Sequence, residues 1–209
     1  MPQCGGIGEF IMAEKVYCIV KRGNNYYIPV KARFNPYNGS PAYLACLPNF
    51  FGGNIERGEC YYLGLAREVK EESQRNVSID AECLRASNVQ LLYQCQSRGR
   101  GGIDYYRFYL VTMTEGGDYF AENCKVLDTN AQRYSDPAER EMSCILKIPV
   151  ANDLRGKNVN EFLAYCWNSE NDLVNFNPDN PDDRTNSALM QWKEHEGTKD
   201  AFKALFGLR

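Results

Sequence analysis

Two adjacent glycines, Gly52 and Gly53, stand just before a segment whose acids fall at helical spacing, and this pairing constrains the fold more than any other feature. The chain reads Gly52-Gly53-Asn54-Ile55-Glu56-Arg57-Gly58-Glu59 and then enters a helix expected from about Cys60 to Ser73. Tyr62, Leu65, Ala66 and Val69 recur every three to four residues, the spacing of a buried helical stripe. At about 100° per residue, Glu68, Glu71 and Glu72 share one arc beside that stripe. Like charges so placed destabilise a helix by roughly a few tenths of a kcal/mol unless cations compensate them.

Clustered carboxylate oxygens are hard donors and suit magnesium or manganese. Residues without a Cβ let the backbone turn sharply and approach an ion or a phosphate closely, so the glycine turn and the acidic stripe can form one pocket. Arg67 lies four residues before Glu71 and can reach Glu71 or Glu59, holding the acids in register.

Around this segment the chain is rich in strand signals. Lys15 to Arg22 and Tyr26 to Phe34 are β-rich runs joined by the hairpin signal Gly23-Asn24-Asn25. Asn35 to Pro41 reads as a loop, Tyr43 to Leu47 as a short apolar strand, and Pro48 to Gly53 as a turn into the helix. Arg85 to Gln96 and Ile103 to Thr114 are expected strands of a second hairpin, and Glu115 to Asp136 a long loop or insertion. Met142 to Val150 is one more strand. Leu154 to Trp167 and Ser187 to Phe206 are helical, separated by an Asn/Pro/Asp-rich linker from Asn175 to Arg184. Strands first, a helix between them and helices last give an α+β class.

With 209 residues, 44% of them hydrophobic and 12% aromatic, the chain has material for one well-covered core. Residues 12–209 are therefore one domain, with 150–209 a mainly helical C-terminal extension. Residues 1–11, glycine-interrupted and without period, read as a tag or disordered leader. The formal net charge of −3 argues against a nucleic-acid polymer as partner. No apolar run approaches the roughly 18 residues that span a bilayer, so a soluble, cytoplasmic protein without a membrane partner is expected. Nine cysteines without a C-x-x-C pair fit neither a disulfide framework nor a zinc ribbon. The lone histidine, His195, reads as a solvated helix residue, which leaves His-dependent nucleophilic catalysis without a base.

The pattern Gly53, five residues, Glu59, seven residues, Arg67-Glu68, an aliphatic residue, any residue, Glu71-Glu72 resembles the signature of the Nudix hydrolase family. It departs where the family closes on Gly and an aliphatic residue, since this chain has Gln74 and Arg75. Gln74 is expected to extend or recap the helix, with Asn76 as the left-handed cap. The resemblance implies a Nudix-type α/β/α sandwich with a mixed β-sheet and extra C-terminal helices. It implies hydrolysis of a phosphoanhydride bond in a nucleoside diphosphate linked to another moiety, dependent on Mg2+ or Mn2+. Glu68, Glu71 and Glu72, with the carbonyl of Gly52, are the implied ligands, and Glu71 and Arg67 belong to the catalytic segment. A general base from outside the motif is expected at Glu141, then Glu139, with Glu115 and Glu122 behind them.

For the substrate the signals are thinner. Tyr93, 18 residues beyond Arg75, resembles the tyrosine of dinucleoside polyphosphate hydrolases, while the proline that marks many ADP-ribose pyrophosphatases is missing at a similar offset. A dinucleoside polyphosphate is thus the favoured substrate, with ADP-ribose or another nucleotide sugar as the alternative. Tyr105-Tyr106-Arg107-Phe108-Tyr109 alternates aromatic and basic groups, fit either to stack a base and pair a phosphate or to pack one face into the core. Arg33, Lys31, Arg98 and Arg100 are further phosphate-binding candidates. A catalytically silent Nudix domain that binds a nucleotide or a protein is the second functional class, and a homodimer stays open. The amphipathic series Leu189, Trp192, Ala201, Phe202, Leu205 and Phe206 favours packing on the sheet over a partner surface.

Overall fold

A computed structural model describes residues 11–77, 79, 84, 88–99, 102–113, 124–150, 154–168, 192 and 196–209. Residues 1–10 of the expected leader 1–11, the expected linker 175–184, His195, Arg100, Glu115 and Glu122 lie outside the described residues, whereas Ile11, expected in that leader, opens the first strand. Strands β1 (Ile11–Arg22), β2 (Asn25–Lys31), β3 (Phe51–Asn54), β4 (Val89–Gly99), β5 (Gly102–Met113), β6 (Cys124–Val126) and β7 (Met142–Pro149) form one seven-stranded sheet. The path is β4-β5-β1-β2-β7-β6, with β3 added against β1. The β1–β5 pair is parallel and every other pair is antiparallel, so the sheet is mixed.

Strand β1 organises the site. One edge pairs with β5 along its length, starting at Ile11 opposite Ile103. The other edge is divided: Lys15 to Cys18 pair with β3, and Val20 to Arg22 pair with β2. Where the partner changes, the sheet splits and the chain between β2 and β3 must leave it. The expected strand over Tyr43 to Leu47 is instead part of that excursion. Leu44 and Cys46 both adopt positive φ, 57° and 60°, which no strand accommodates, and the run buries Leu44 and Leu47 without pairing as a strand. Conversely the expected turn over Pro48 to Gly53 ends in β3, because the edge of β1 offers it hydrogen bonds despite its two glycines. The long segment read as loop or insertion contains the short strand β6 on the outer edge of β7.

Side chains alternate across the sheet and close two cores. Val16, Cys18, Val20, Tyr109 and Val111 face helix α1 (Tyr61–Glu72), which contributes Leu65 and Val69. Ile19, Ile28, Phe108, Leu110 and Leu146 face helices α2 (Val159–Asn168) and α3 (Glu196–Phe206). The chain is thus an α/β/α sandwich. The C-terminal helices pack on the sheet: Trp192, Phe162 and Phe202 are fully buried there, and the Trp192 indole N–H donates to the carbonyl of Pro48 at 2.9 Å. The alternation in β5 resolves as core packing, with Tyr106 and Phe108 on one face and Tyr109 on the other. None of the described cysteines is in a disulfide, and no helix among the described residues is long and apolar enough to cross a membrane.

Candidate active site

The split in the sheet opens onto a cavity of about 760 Å³. Its walls are the glycine turn (Gly52, Gly53), the acidic face of α1 (Arg67, Glu68, Glu71), the excursion after β2 (Tyr37, Tyr43), and Asp136 and Glu141 on the approach to β7. Lys15 and Tyr17 from β1, Lys31 from the end of β2, and Thr198 from α3 complete it.

The glycines are there for close approach. Gly52 has φ 149°, and a Cβ on it would lie 2.0 Å from the carbonyl oxygen of Val16 and 2.6 Å from the Cα of Tyr17. A Cβ on Gly53 would lie 2.6 Å from the Glu68 carboxylate. With no side chain between them, α1 lies against β3, and the Gly52 N–H donates to the Glu72 carboxylate at 2.8 Å.

Arg67 gathers the acids, as its spacing implied. Its guanidinium meets Glu59 through two bonds of 3.1 Å, Glu68 at 2.9 Å, Glu71 at 3.3 Å and the carbonyl of Asn54 at 3.0 Å. Glu59, with a bond from the Glu56 N–H as well, is held below its ordinary value chiefly by that Arg67 bond. The helix acids shift the other way. Burial pushes Glu68 up to about 7, Arg67 opposes the shift, and Glu71 and Glu141 add to it. Burial likewise raises Glu71, and it raises Glu72 well above the carboxylate range against the pull of Lys31. Burial is the largest cause in all three cases, and neighbouring carboxylates add to it.

Lys31 links the helix to the acid from β7. Its ammonium bonds to Glu141 and stands 4.0 Å from Glu72. Burial alone would lower it, but Glu72 and Glu141 outweigh burial and hold it above its ordinary value. The Tyr37 hydroxyl also bonds to Glu141, and burial with that carboxylate pushes it up to about 12.

The expected site residues therefore separate. Glu68, Glu71, Arg67, Gly52 and Glu141 share the cavity, joined by Lys31 from the wider set of cations. Glu72 is 1% exposed and sealed behind the wall, bonded to the glycine turn. Among the described residues no group of three or more His, Cys, Asp or Glu side chains is gathered to hold a metal ion, and Arg67 and Lys31 engage the acids in ion pairs. Glu139 lines an adjoining groove with Asp136 and Lys70 rather than the cavity. Tyr93, Arg107 and Arg33 do not line it either. Tyr93 packs towards Phe108 on the core face of β4, Arg107 pairs with Glu14 at 3.4 Å, and Arg33 lies over the Phe34 ring. Tyr37, Tyr43, Lys15 and Asp136 escaped the sequence reading, since a place in a loop or a strand-like run does not specify which side chains meet the cavity.

The helix leaves this site in an unexpected way. It ends at Glu72 with Ser73 as cap, and the left-handed residues are Gln74 (φ 52°) and Arg75 (φ 63°), not Asn76. Two consecutive non-glycine residues in that region cost about 1–2 kcal/mol each.

The residues present fit a hard divalent cation by their chemistry: Glu68 and Glu71 are carboxylate oxygen donors on the cavity wall beside the Gly52-Gly53 turn.

No protein-family model matches the chain, and no curated protein matches it. Several solved structures are similar to it. One is an ADP compounds hydrolase, with a TM-score of 0.41 at 15% identity, over 88% of this chain and 73% of that one. Another is a Nudix hydrolase from Nitrosomonas europaea, with a TM-score of 0.39 at 12% identity, over 90% and 92%. A third is the Nudix domain of Shewanella oneidensis NrtR complexed with ADP ribose, with a TM-score of 0.38 at 13% identity, over 68% and 75%.

Proposed function

We propose that the chain is a Nudix-type hydrolase that cleaves a phosphoanhydride bond in a nucleoside diphosphate linked to another moiety, with Mg2+ or Mn2+. The observation that carries this reading is the meeting, in one cavity, of a side-chain-free glycine turn, the acids of α1, Glu141 and the cations Lys15, Lys31 and Arg67. Glu68 and Glu71 would hold the cation, with Gly52 beside them and Glu72 bracing the turn from behind. When bound, it supplies neutralisation of phosphate charge and a lowered pKa for water. Lys15, which donates to Asp104 at 3.0 Å, and Lys31, which pairs with Glu141, stand where they would meet the phosphates, and Arg67 keeps the carboxylates in register until the substrate arrives. Glu141 accepts the proton of the attacking water, being the base candidate that reaches the cavity where Glu139 does not.

Tyr37 and Tyr43 give the cavity aromatic walls on which a base stacks. Two such walls suit a substrate with two bases, so a dinucleoside polyphosphate remains the favoured substrate and ADP-ribose the alternative. Described cysteines that form no disulfide fit a cytoplasmic setting.

A binding-only domain is the second reading, and the engagement of the helix acids by Arg67 and Lys31 favours it. One experiment separates the two. Dinucleoside polyphosphates, ADP-ribose, NADH, nucleotide sugars, capped RNA and inositol pyrophosphates are incubated with and without magnesium, and the products are weighed by mass spectrometry. Magnesium-dependent cleavage of a phosphoanhydride supports the hydrolase, and binding without any product supports the silent domain.

A further inference from the structure

Glu141 and the helix acids reach the cavity from segments about 70 residues apart in sequence, so something must fix their separation. The carboxamide of Gln74 spans that gap. Gln74 directly follows the cap of α1, is 8% exposed, and turns its side chain away from the helix onto two other backbones. Its Nε2 donates to the carbonyl of Asp128 at 2.5 Å and to the carbonyl of Glu139 at 2.8 Å. Its Oε1 accepts the N–H of Asp128 at 3.1 Å. Both amide hydrogens and the carbonyl are thereby used, and Glu139 stands two residues before Glu141, within the 3-10 turn Ala138–Arg140 that delivers Glu141 to the cavity.

The backbone conformation makes the choice of residue informative. At φ 52° a glycine would sit without strain, yet the position holds a long amide that bears the strain and uses both its N–H donors and its carbonyl on this bridge. We propose that Gln74 is a positioning residue: its side chain clasps the segment carrying Glu141 to the end of α1, setting the distance between Glu141 and the carboxylates of Glu68 and Glu71. This rests on the hydrolase reading above and adds to it a residue that acts only through Glu141.

The test compares Gln74→Gly, Glu141→Gln and the double variant with the wild type, using magnesium with a diadenosine polyphosphate and, in parallel, ADP-ribose. Gln74→Gly removes the clasp and relieves the backbone, so the melting temperature should stay within a few degrees. Its kcat should fall about tenfold with KM within about twofold, and in the Glu141→Gln background it should have no further effect. An unchanged kcat overturns the inference, as does a full tenfold loss on top of Glu141→Gln. A kcat loss that tracks a collapse in melting temperature also overturns it, since the clasp would then be structural only. Gln74→Met, of similar length but without the amide, should reproduce the kcat loss, and wild-type turnover in Gln74→Met overturns the inference. A wild type that cleaves nothing fails the hydrolase reading, and this inference with it. Turnover by the wild type with an unaffected Gln74→Gly fails this inference alone.

Discussion

Replacing Gly52 by alanine should damage the protein more than any other single methyl group added to the turn. The new Cβ would stand 2.0 Å from the Val16 carbonyl oxygen and 2.6 Å from the Tyr17 Cα, and both belong to a strand held on its far side by β5. Neither atom is the end of a flexible side chain, so relief requires β3 to move off β1. Overpacking of this kind costs about 1–3 kcal/mol, and a backbone at φ 149° adds about 1–3 kcal/mol for a residue with a side chain. Displacing the turn also lengthens the 2.8 Å bond from Gly52 to the buried Glu72. A total near 4 kcal/mol corresponds to a fall in Tm of about 8–16 °C for a chain of this size. Urea unfolding and thermal melting of Gly52→Ala measure it, with Gly23→Ala as control. Gly23 also has positive φ, 55°, but its Cβ would meet nothing within 4 Å, so about 1–2 kcal/mol is expected there. A Gly52→Ala protein no less stable than Gly23→Ala would refute the close-approach reasoning.

Arg67→Ala should lower stability by about 2 kcal/mol in urea unfolding, because Glu59, Glu68 and Glu71 lose a shared partner that is only partly exposed. Arg67→Lys should recover less than half of that, since an ammonium cannot reproduce the forked contact with Glu59. Trp192→Ala should cost about 3–5 kcal/mol, the range for deleting a buried aromatic, and a cost near zero would remove the C-terminal region from the core. Glu141→Gln should reduce kcat by about 10²-fold or more. Glu139→Gln, which changes a side chain in the adjoining groove, should leave kcat within about twofold.

The helix, its buried stripe and its acids were legible because a 3.6-residue period repeats over twelve residues and needs no tertiary context. The Arg67–Glu71 pair followed from i,i+4 spacing, and the β1–β2 hairpin followed from Gly23-Asn24. Strand β3 was hidden, since two glycines lower its local preference and only the split edge of β1 makes it a strand. Tyr43 to Leu47 misled for the opposite reason: an apolar run signals burial, and burial here is met by a left-handed turn. The burial of Glu72 could not be read from helical arc alone, which places it beside Glu68 but says nothing of the glycine turn lying over it. Tyr93 and Arg107 illustrate a related limit, because an offset from a motif does not specify which face of a strand meets the cavity. The role of Gln74 was invisible, since its partners at Asp128 and Glu139 lie more than fifty residues away.

The central claim is that the helix acids take a divalent cation in this cavity. A titration of Mn2+ followed by electron paramagnetic resonance, on the wild type and on Glu68→Gln/Glu71→Gln, measures this without needing turnover. Stoichiometric binding by the wild type that is weakened at least tenfold in the double variant is the predicted result. Equal binding by both proteins, or none by the wild type even with a nucleoside diphosphate present, would contradict it.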